Sequence, residues 1–204
     1  MHLVSIAQLK EVEQSVSEEA MVRNCAPTLA GIKTGNLFSY RYDSTEQMRE
    51  SLRFWNRRLH DKGVRILPLR YCNNQALIYL YRPAHLANDL HDDEAKALLR
   101  DCGYVPEYAG QCIVRLMQRL RESDDFPHEI GLFLGYPPED VSGFITQHAC
   151  GYKCAGCWKV YGDEAKCRRL FMQYKQCTRL YEDCLKCGTD VVSMTVSDKG
   201  GAKC

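Results

Sequence analysis

Two strand-like runs decide the fold: VRILPLRY (64–71) and QALIYLYRP (75–83), separated by Cys72-Asn73-Asn74. Both runs are rich in branched and aromatic residues and flank turn-forming residues, so the sequence predicts an antiparallel hairpin. Pro68 has no amide hydrogen to donate, which predicts that the first strand lies at a sheet edge or carries a bulge. A further short strand is predicted over NLFSYRY (36–42).

Amphipathic helices are predicted on both sides of the hairpin. Apolar residues at three- and four-residue steps indicate helices over these ranges: 5–22, 45–62, 92–102, 110–121 and 163–186. Pro138, followed by two acidic residues, suits the first turn of one more helix. By contrast, residues 25–36 contain too many turn formers to continue the first helix.

The predicted fold class is therefore α+β: a single domain in which a small antiparallel sheet packs against several helices. We assign residues 1–187 to this domain. Residues 188–204 are expected to form a C-terminal tail that is partly disordered, with a short strand at its start.

Composition narrows the function classes. The chain has 204 residues and a net charge of +1, from 27 basic and 26 acidic side chains. This balance argues against a nucleic-acid-binding surface, which needs a basic excess. No apolar run approaches the roughly 20 residues that span a bilayer. Charged residues at Lys10, Glu11 and Glu13 interrupt the stretch where a signal peptide would be apolar, so we expect a cytoplasmic protein with no membrane partner.

Twelve cysteines are the compositional anomaly. In a reducing cytoplasm they are expected to remain thiols, metal ligands or redox-active pairs. The alternative is that they serve as small apolar residues in the core.

One cysteine cluster has the spacing of a metal-binding loop. Cys150, Cys154 and Cys157 are separated by three and two residues in a segment that contains glycine. Such thiols can bind zinc, iron or an iron–sulfur cluster. The spacing is similar to that of radical SAM enzymes, but its place in the last quarter of the chain argues against that family. Cys184 and Cys187 form a second CxxC pair, a weaker candidate for completing a zinc site.

A different set of residues suggests nucleophilic catalysis. Cys25 precedes a turn-rich segment that contains Lys33, and a neighbouring lysine lowers a thiol pKa. His128 is the candidate base and Glu129 the candidate group that orients it. The alternative is a buried structural cysteine and a capping histidine. The stretch Trp158-Lys-Val-Tyr161 fits either stacking on a ring-bearing ligand or a half-buried strand.

Three sequence blocks resemble one known family, the domain of unknown function 3793 family of bacteria, chiefly anaerobic Firmicutes. The blocks are Cys25-Ala-Pro-Thr-Leu-Ala-Gly with Lys33 and Asn36-Leu-Phe, His128-Glu-Ile-Gly-Leu-Phe-Leu-Gly-Tyr-Pro with Glu139-Asp-Val and Gly143-Phe-Ile, and Cys154-Ala-Gly-Cys157-Trp-Lys-Val-Tyr. The resemblance implies no established activity. It emphasises positions Cys25, His128, Glu129 and Cys154, whereas the position of Cys157 is more often aromatic and Cys150, Cys184 and Cys187 lie outside the pattern.

The resemblance also implies a link to iron or redox physiology, because relatives tend to be encoded near iron-uptake and flavodoxin genes. Our leading hypothesis is a thiol-dependent redox or metal-linked accessory protein, with a flavodoxin as a candidate redox partner. The alternatives are a cysteine-nucleophile hydrolase or transferase, and a non-catalytic binding or scaffold module with packed cysteines. Whether the protein is an enzyme, and its oligomeric state, stay open.

Overall fold

The predicted hairpin forms the centre of a three-stranded antiparallel sheet. In the computed structural model, which describes residues 16–122 and 125–198, β2 (Arg65–Cys72) and β3 (Gln75–Tyr81) pair around a two-residue turn. Asn73 and Asn74 adopt the positive φ values, 49° and 56°, that such a turn requires. The third predicted strand, β1 (Gly35–Arg41), pairs with the other edge of β3.

Pro68 has the predicted effect on β2. The strand order is β1-β3-β2, so β2 is an edge strand, and its register shifts between Pro68 and Arg70. An edge strand has no partner strand on one side. A residue without an amide hydrogen is tolerated there, because no inter-strand hydrogen bond is lost.

Helices surround the sheet, which confirms the α+β class. They are α1 (Glu18–Leu29), α2 (Thr45–Leu59, continued by a 3-10 turn at His60–Lys62), α3 (Pro83–Leu90), α4 (Asp93–Asp101), α5 (Ala109–Glu122), α6 (Ile130–Phe133), α7 (Pro138–Thr146), α8 (Glu164–Lys186) and α9 (Val191–Met194). A two-stranded hairpin of β4 (Cys154–Ala155) and β5 (Lys159–Val160) precedes α8. Within the described ranges no helix is both long and apolar enough to cross a membrane.

The two faces of β3 build two cores. Ile78 and Leu80 pack with α1, α2 and α9, whereas Tyr79 and Tyr81 pack with α3 to α7. Because alternate residues of a strand point to opposite faces, a central strand covered on both sides is buried almost throughout. A third, smaller cluster joins the β4–β5 hairpin to α8 through Trp158.

The first helix differs from its prediction. Residues 5–15 of the predicted helix lie outside the described residues, but α1 continues to Leu29 instead of ending near residue 22. The prediction that residues 25–36 could not be helical is wrong for the first five of them. Pro27 falls in the last turn, where it costs one backbone hydrogen bond, and burial of Cys25 and Leu29 in the core outweighs that loss.

The C-terminal segment also differs from its prediction, because residues 191–194 form α9 and not a strand. Val191 is fully buried against α1 and α2, and the Val196 amide donates to the Leu29 carbonyl oxygen. The fully buried Arg82 completes this contact. Its guanidinium donates to the carbonyl oxygens of Thr28, Leu29 and Val196 and pairs with Asp198. One arginine therefore joins the end of α1 to the end of the described chain.

Candidate functional site

A single carboxylate holds the β4–β5 hairpin in place. Asp140 lies in the first turn of α7, which begins at Pro138 as the sequence predicts. One carboxylate oxygen accepts a 2.7 Å hydrogen bond from the Trp158 indole, and the other accepts from the amides of Tyr161 and Gly162, also at 2.7 Å. Asp140 is buried and all three donors are satisfied, so its role is to anchor the hairpin.

Aromatic rings pack tightly around the hairpin turn. The Trp158 ring stacks on Tyr136 with centroids 4.5 Å apart and meets Phe171 of α8 edge-on at 4.6 Å. A Cβ atom at Gly156 would lie 2.2 Å from the Phe171 ring. Glycine is therefore required for this turn to approach α8 so closely.

An apolar cleft of about 420 Å³ opens beside this turn. We call it the aromatic cleft, and its walls are formed by Phe126, Ile130, Tyr136, Val141, Phe144 and Trp158. Tyr136 and Phe144 lie four residues to either side of Asp140, and the hydrogen bond from Trp158 to Asp140 brings the indole to them. Apolar concave surfaces with a few polar groups are the usual form of small-molecule sites.

Two nitrogen-bearing side chains line the aromatic cleft. The His128 side chain is exposed, and its ring meets Phe144 edge-on with centroids 4.9 Å apart. The Lys159 ammonium donates a 2.8 Å hydrogen bond to the Ala149 carbonyl oxygen and lies 4.7 Å from the Tyr152 ring centroid. Both can donate hydrogen bonds to a ligand, and the lysine is positively charged.

A second cavity of about 430 Å³ lies on the other side of the same turn. We call it the lysine pocket, and it is lined by Lys33, Asn36, Tyr136, Cys157, Tyr174 and Lys175, among others. Tyr136, Gly156 and Cys157 border both cavities. The hairpin turn is thus a shared wall between two differently charged spaces.

Lys33 is the unusual group of the lysine pocket. Its side chain is 6% exposed, its ammonium donates to the Gly35 carbonyl oxygen and it lies 5.4 Å from the Tyr136 ring centroid. Desolvation lowers the Lys33 pKa to about 8, while the nearby groups Cys25, Cys157 and Asp89 act in the opposite direction. Burial disfavours the charged form of an amine, which explains this direction.

The predicted Cys25–His128 pair is not brought into one site. Cys25 is fully buried in the core that α1, α2 and β3 share, whereas His128 is exposed on the aromatic cleft. Desolvation raises the Cys25 pKa, and Lys33 lowers it by less. The lysine that the sequence places near Cys25 is therefore a neighbour in space, but burial has the larger effect on the thiol.

Glu129 serves a different contact from the predicted one. This buried carboxylate accepts a 2.7 Å hydrogen bond from the Tyr104 hydroxyl, and its oxygen lies 2.7 Å from the Arg119 Nε. Tyr104 lies between α4 and α5, and Arg119 lies on α5. Its position next to His128 in sequence therefore does not make it the partner that orients the imidazole.

The candidate cysteines occupy different environments. Cys154 is buried next to Cys167, whereas Cys150 and Cys157 are exposed. Cys184 and Cys187, both exposed, lie at the far end of α8, and at 1.5 Å per residue Cys184 is about 25 Å from Cys167. The two CxxC pairs are thus held apart by the helix. In the part of the chain that the structure describes, no group of three or more His, Cys, Asp or Glu side chains is placed to hold a metal ion.

Sequence reasoning did not identify Lys33, Asp140 or Phe144 as site residues in their own right. Asp140 carries the ordinary signature of a helix N-terminus, and Phe144 that of an amphipathic helix. Nothing local marks Lys33 as buried. The sequence signals for the cleft were His128 and Trp158, which both line it. Trp158 precedes the short strand β5 and stacks on Tyr136, and its stacking on a ring-bearing ligand stays a prediction.

One family model matches the chain. Its description is "Protein of unknown function (DUF3793)", and the match covers residues 21–195. No curated protein and no solved structure matches.

Proposed function

Because the chain belongs to the DUF3793 family, whose description names no activity, we propose its function from geometry: it is a binding protein that holds a small, flat organic acid in the aromatic cleft. The observation that carries the proposal is the cleft itself, an open apolar cavity of about 420 Å³ with His128 and Lys159 on its wall. Of the hypotheses drawn from the sequence, this one develops the non-catalytic binding module.

The aromatic walls suit a flat ligand. Stacking and edge contacts between rings favour a planar molecule with a π-system over a branched aliphatic one. Burying about 150 Å² of apolar ligand surface would contribute roughly 4 kcal/mol before the entropic cost of association is subtracted. The walls are held by Asp140 and by the Trp158–Tyr136 stack, so little ordering is needed on binding.

The polar groups suit an acidic substituent. The Lys159 ammonium is fixed by the Ala149 carbonyl oxygen and by two rings, which places a positive charge at the wall of the cleft. His128 adds an imidazole that can donate a hydrogen bond. Asp140, the carboxylate in the lining, already accepts hydrogen bonds from four donors and does not need a partner from the ligand.

The test uses 8-anilinonaphthalene-1-sulfonate, a flat aromatic sulfonate whose emission rises on burial. We expect one molecule to bind per chain. Ala155→Trp fills the cleft from an exposed wall position and should weaken binding by about tenfold or more. The matched control is Ala97→Trp, the same change on an exposed face of α4. Equal binding by both variants would show that the probe binds elsewhere.

The second candidate is the thiol-dependent redox function, here centred on Cys157 in a reducing cytoplasm. The observation in its favour is that this exposed thiol borders both cavities. Its thiolate would attack one sulfur of a small disulfide, forming a mixed disulfide and releasing the other half as a thiol. Burial raises the Cys157 pKa while Lys33 lowers it, so exchange should accelerate as the pH rises above neutral.

Oxidised glutathione tests this second candidate. The redox function requires that the mixed disulfide map to Cys157 before it maps to Cys72, an exposed cysteine in the β2–β3 turn region. Cys157→Ser should abolish the first modification to appear, and Cys72→Ser should not. Modification of Cys72 first would count against a special role for Cys157.

A further inference from the structure

The lysine pocket contains a buried cation without a matching anion. Lys33 is nearly inaccessible to solvent, and among the described residues no salt bridge joins its ammonium to a carboxylate. The nearby Asp89 carboxylate accepts a hydrogen bond from the Thr34 hydroxyl instead. An ammonium has three hydrogens to donate, and one goes to the Gly35 carbonyl oxygen. Burying an unpaired charge is expensive, so such a group is expected to meet an anion or to lose its proton.

The other polar groups of the pocket are also donors. The Asn36 side-chain oxygen accepts a 2.7 Å hydrogen bond from the Thr28 hydroxyl, which leaves its NH₂ group available to the cavity. Tyr174 contributes a hydroxyl and Lys175 a second ammonium. Among the described residues that line this cavity, none is Asp or Glu. The pocket is therefore positive and rich in donors.

We propose that the lysine pocket is a second binding site, separate from the aromatic cleft, which takes a small organic anion and pairs one of its oxygens with the Lys33 ammonium. A carboxylate and a phosphate share the required chemistry, an anionic oxygen that accepts several hydrogen bonds. The bound anion supplies the missing partner of Lys33. A cavity of roughly 430 Å³ has room for a ligand of the size of a small metabolite.

The proposal predicts a pH dependence. Titratable and charged groups face Lys33 from every element around it: Cys25 on α1, Asp89 on α3, Tyr136 before α7, Cys157 in the hairpin turn, and Tyr174 and Lys175 on α8. Burial raises the pKa values of the two tyrosines and two cysteines, so these groups stay neutral at pH 7. Lys33, with its pKa lowered to about 8, is the group that changes charge between pH 7 and pH 9. Loss of its proton should weaken anion binding by about tenfold over that interval.

Calorimetric titration with inorganic phosphate and, separately, with citrate tests the proposal and distinguishes the two anion classes. Binding of at least one at millimolar concentration is expected. Lys33→Met should weaken it by about tenfold or more, whereas Lys166→Met, the same change at an exposed position of α8, should leave it unchanged. Citrate is the ligand for the measurement of pH dependence, because its carboxylates are ionised between pH 7 and pH 9.

A second measurement uses the wild-type protein, so that the test does not depend on whether Lys33→Met folds. In the wild-type protein, the bound anion should slow acetylation of Lys33 by acetic anhydride relative to Lys166, mapped by mass spectrometry. Failure of both anions to bind, or equal weakening by the two lysine variants, would overturn the proposal. Lys33→Met should leave binding of the aromatic sulfonate unchanged, so failure of one site is distinguishable from failure of the other.

Discussion

The indole Nε1 of Trp158 donates a 2.7 Å hydrogen bond to the buried carboxylate of Asp140. Eighteen positions separate the two residues, and the contact fastens the β4–β5 hairpin to the first turn of α7. Both cavities depend on it, because the hairpin turn is the wall they share.

Replacing Asp140 should therefore disturb stability and both cavities together. Asp140→Ala leaves the buried Trp158 indole and Cys167 thiol and the partly buried amides of Tyr161 and Gly162 without an acceptor. We expect a loss of about 3 kcal/mol or more in the free energy of unfolding. Urea denaturation measures this loss, with Asp93→Ala at an exposed position of α4 as the control. A loss no larger than that of the control would mean that Asp140 does not anchor the hairpin.

Removing the Lys33 charge should stabilise the protein. Lys33→Met keeps the length of the side chain and eliminates a buried ammonium, so we expect a gain of about 2 kcal/mol at neutral pH without added anion. The folded-state pKa of about 8 lies below the ordinary 10.5, so between these values the unfolded chain binds more protons at Lys33 than the folded one. Burial of the Lys33 ammonium lowers the free energy of unfolding by its full amount below pH 8, and this destabilisation disappears as the pH rises toward 10.5.

The measurement is the stability difference between wild type and Lys33→Met as a function of pH, which cancels the titration of other groups. This difference should be constant below pH 8 and shrink above it. Lys166→Met should show no such trend. A difference that grows with pH would contradict the assignment.

Cys25 should be among the least reactive cysteines of the folded protein. Burial raises its pKa, so little thiolate exists at neutral pH. We expect iodoacetamide to label the exposed residues Cys72, Cys150, Cys184 and Cys187 first, with Cys25 slower by about tenfold or more. Peptide mapping by mass spectrometry gives the order. Fast, selective labelling of Cys25 would instead restore the predicted catalytic nucleophile.

The cysteine loop makes a prediction about metal content. The described residues place no group of three candidate ligands together, so we expect Cys154→Ser to leave the zinc and iron content of protein purified without oxygen unchanged. Elemental analysis decides this. About one metal per chain, lost in Cys154→Ser and retained in Cys72→Ser, would establish the metal site that the spacing of Cys150, Cys154 and Cys157 predicts.

Arg82 should control the order of the C-terminal segment. Arg82→Met leaves the carbonyl oxygens at the end of α1 and at Val196 without their donor, so we expect a loss of about 3 kcal/mol or more. Hydrogen exchange at the Val196 amide should accelerate in this variant and not in Arg57→Met, an exposed control. Unchanged exchange would favour the predicted assignment of residues 188–204 to a tail.

The hairpin, the edge position of β2 and helices α2, α4, α5, α7 and α8 could all be predicted, because each depends on local signals. Alternating apolar residues, Asn73-Asn74 at a turn, and Pro138 at a helix start act over a few positions. The end of α1 could not be predicted this way. Its last turn survives Pro27 because distant residues bury it and Arg82 binds its carbonyl oxygens.

The candidate site likewise has features that local sequence patterns predict and features that only the fold determines. The sequence by itself determined which residues carry reactive groups: the cysteines, His128, and a tryptophan suited to stacking. Only the tertiary structure decided their environments, because burial and contacts between remote segments set pKa values and build cavities. It placed Cys25 in the core, paired Glu129 with Arg119, and put Lys33 and Cys157 on the wall of one pocket. Desolvation is a property of the whole fold, and no local pattern at Lys33 encodes it.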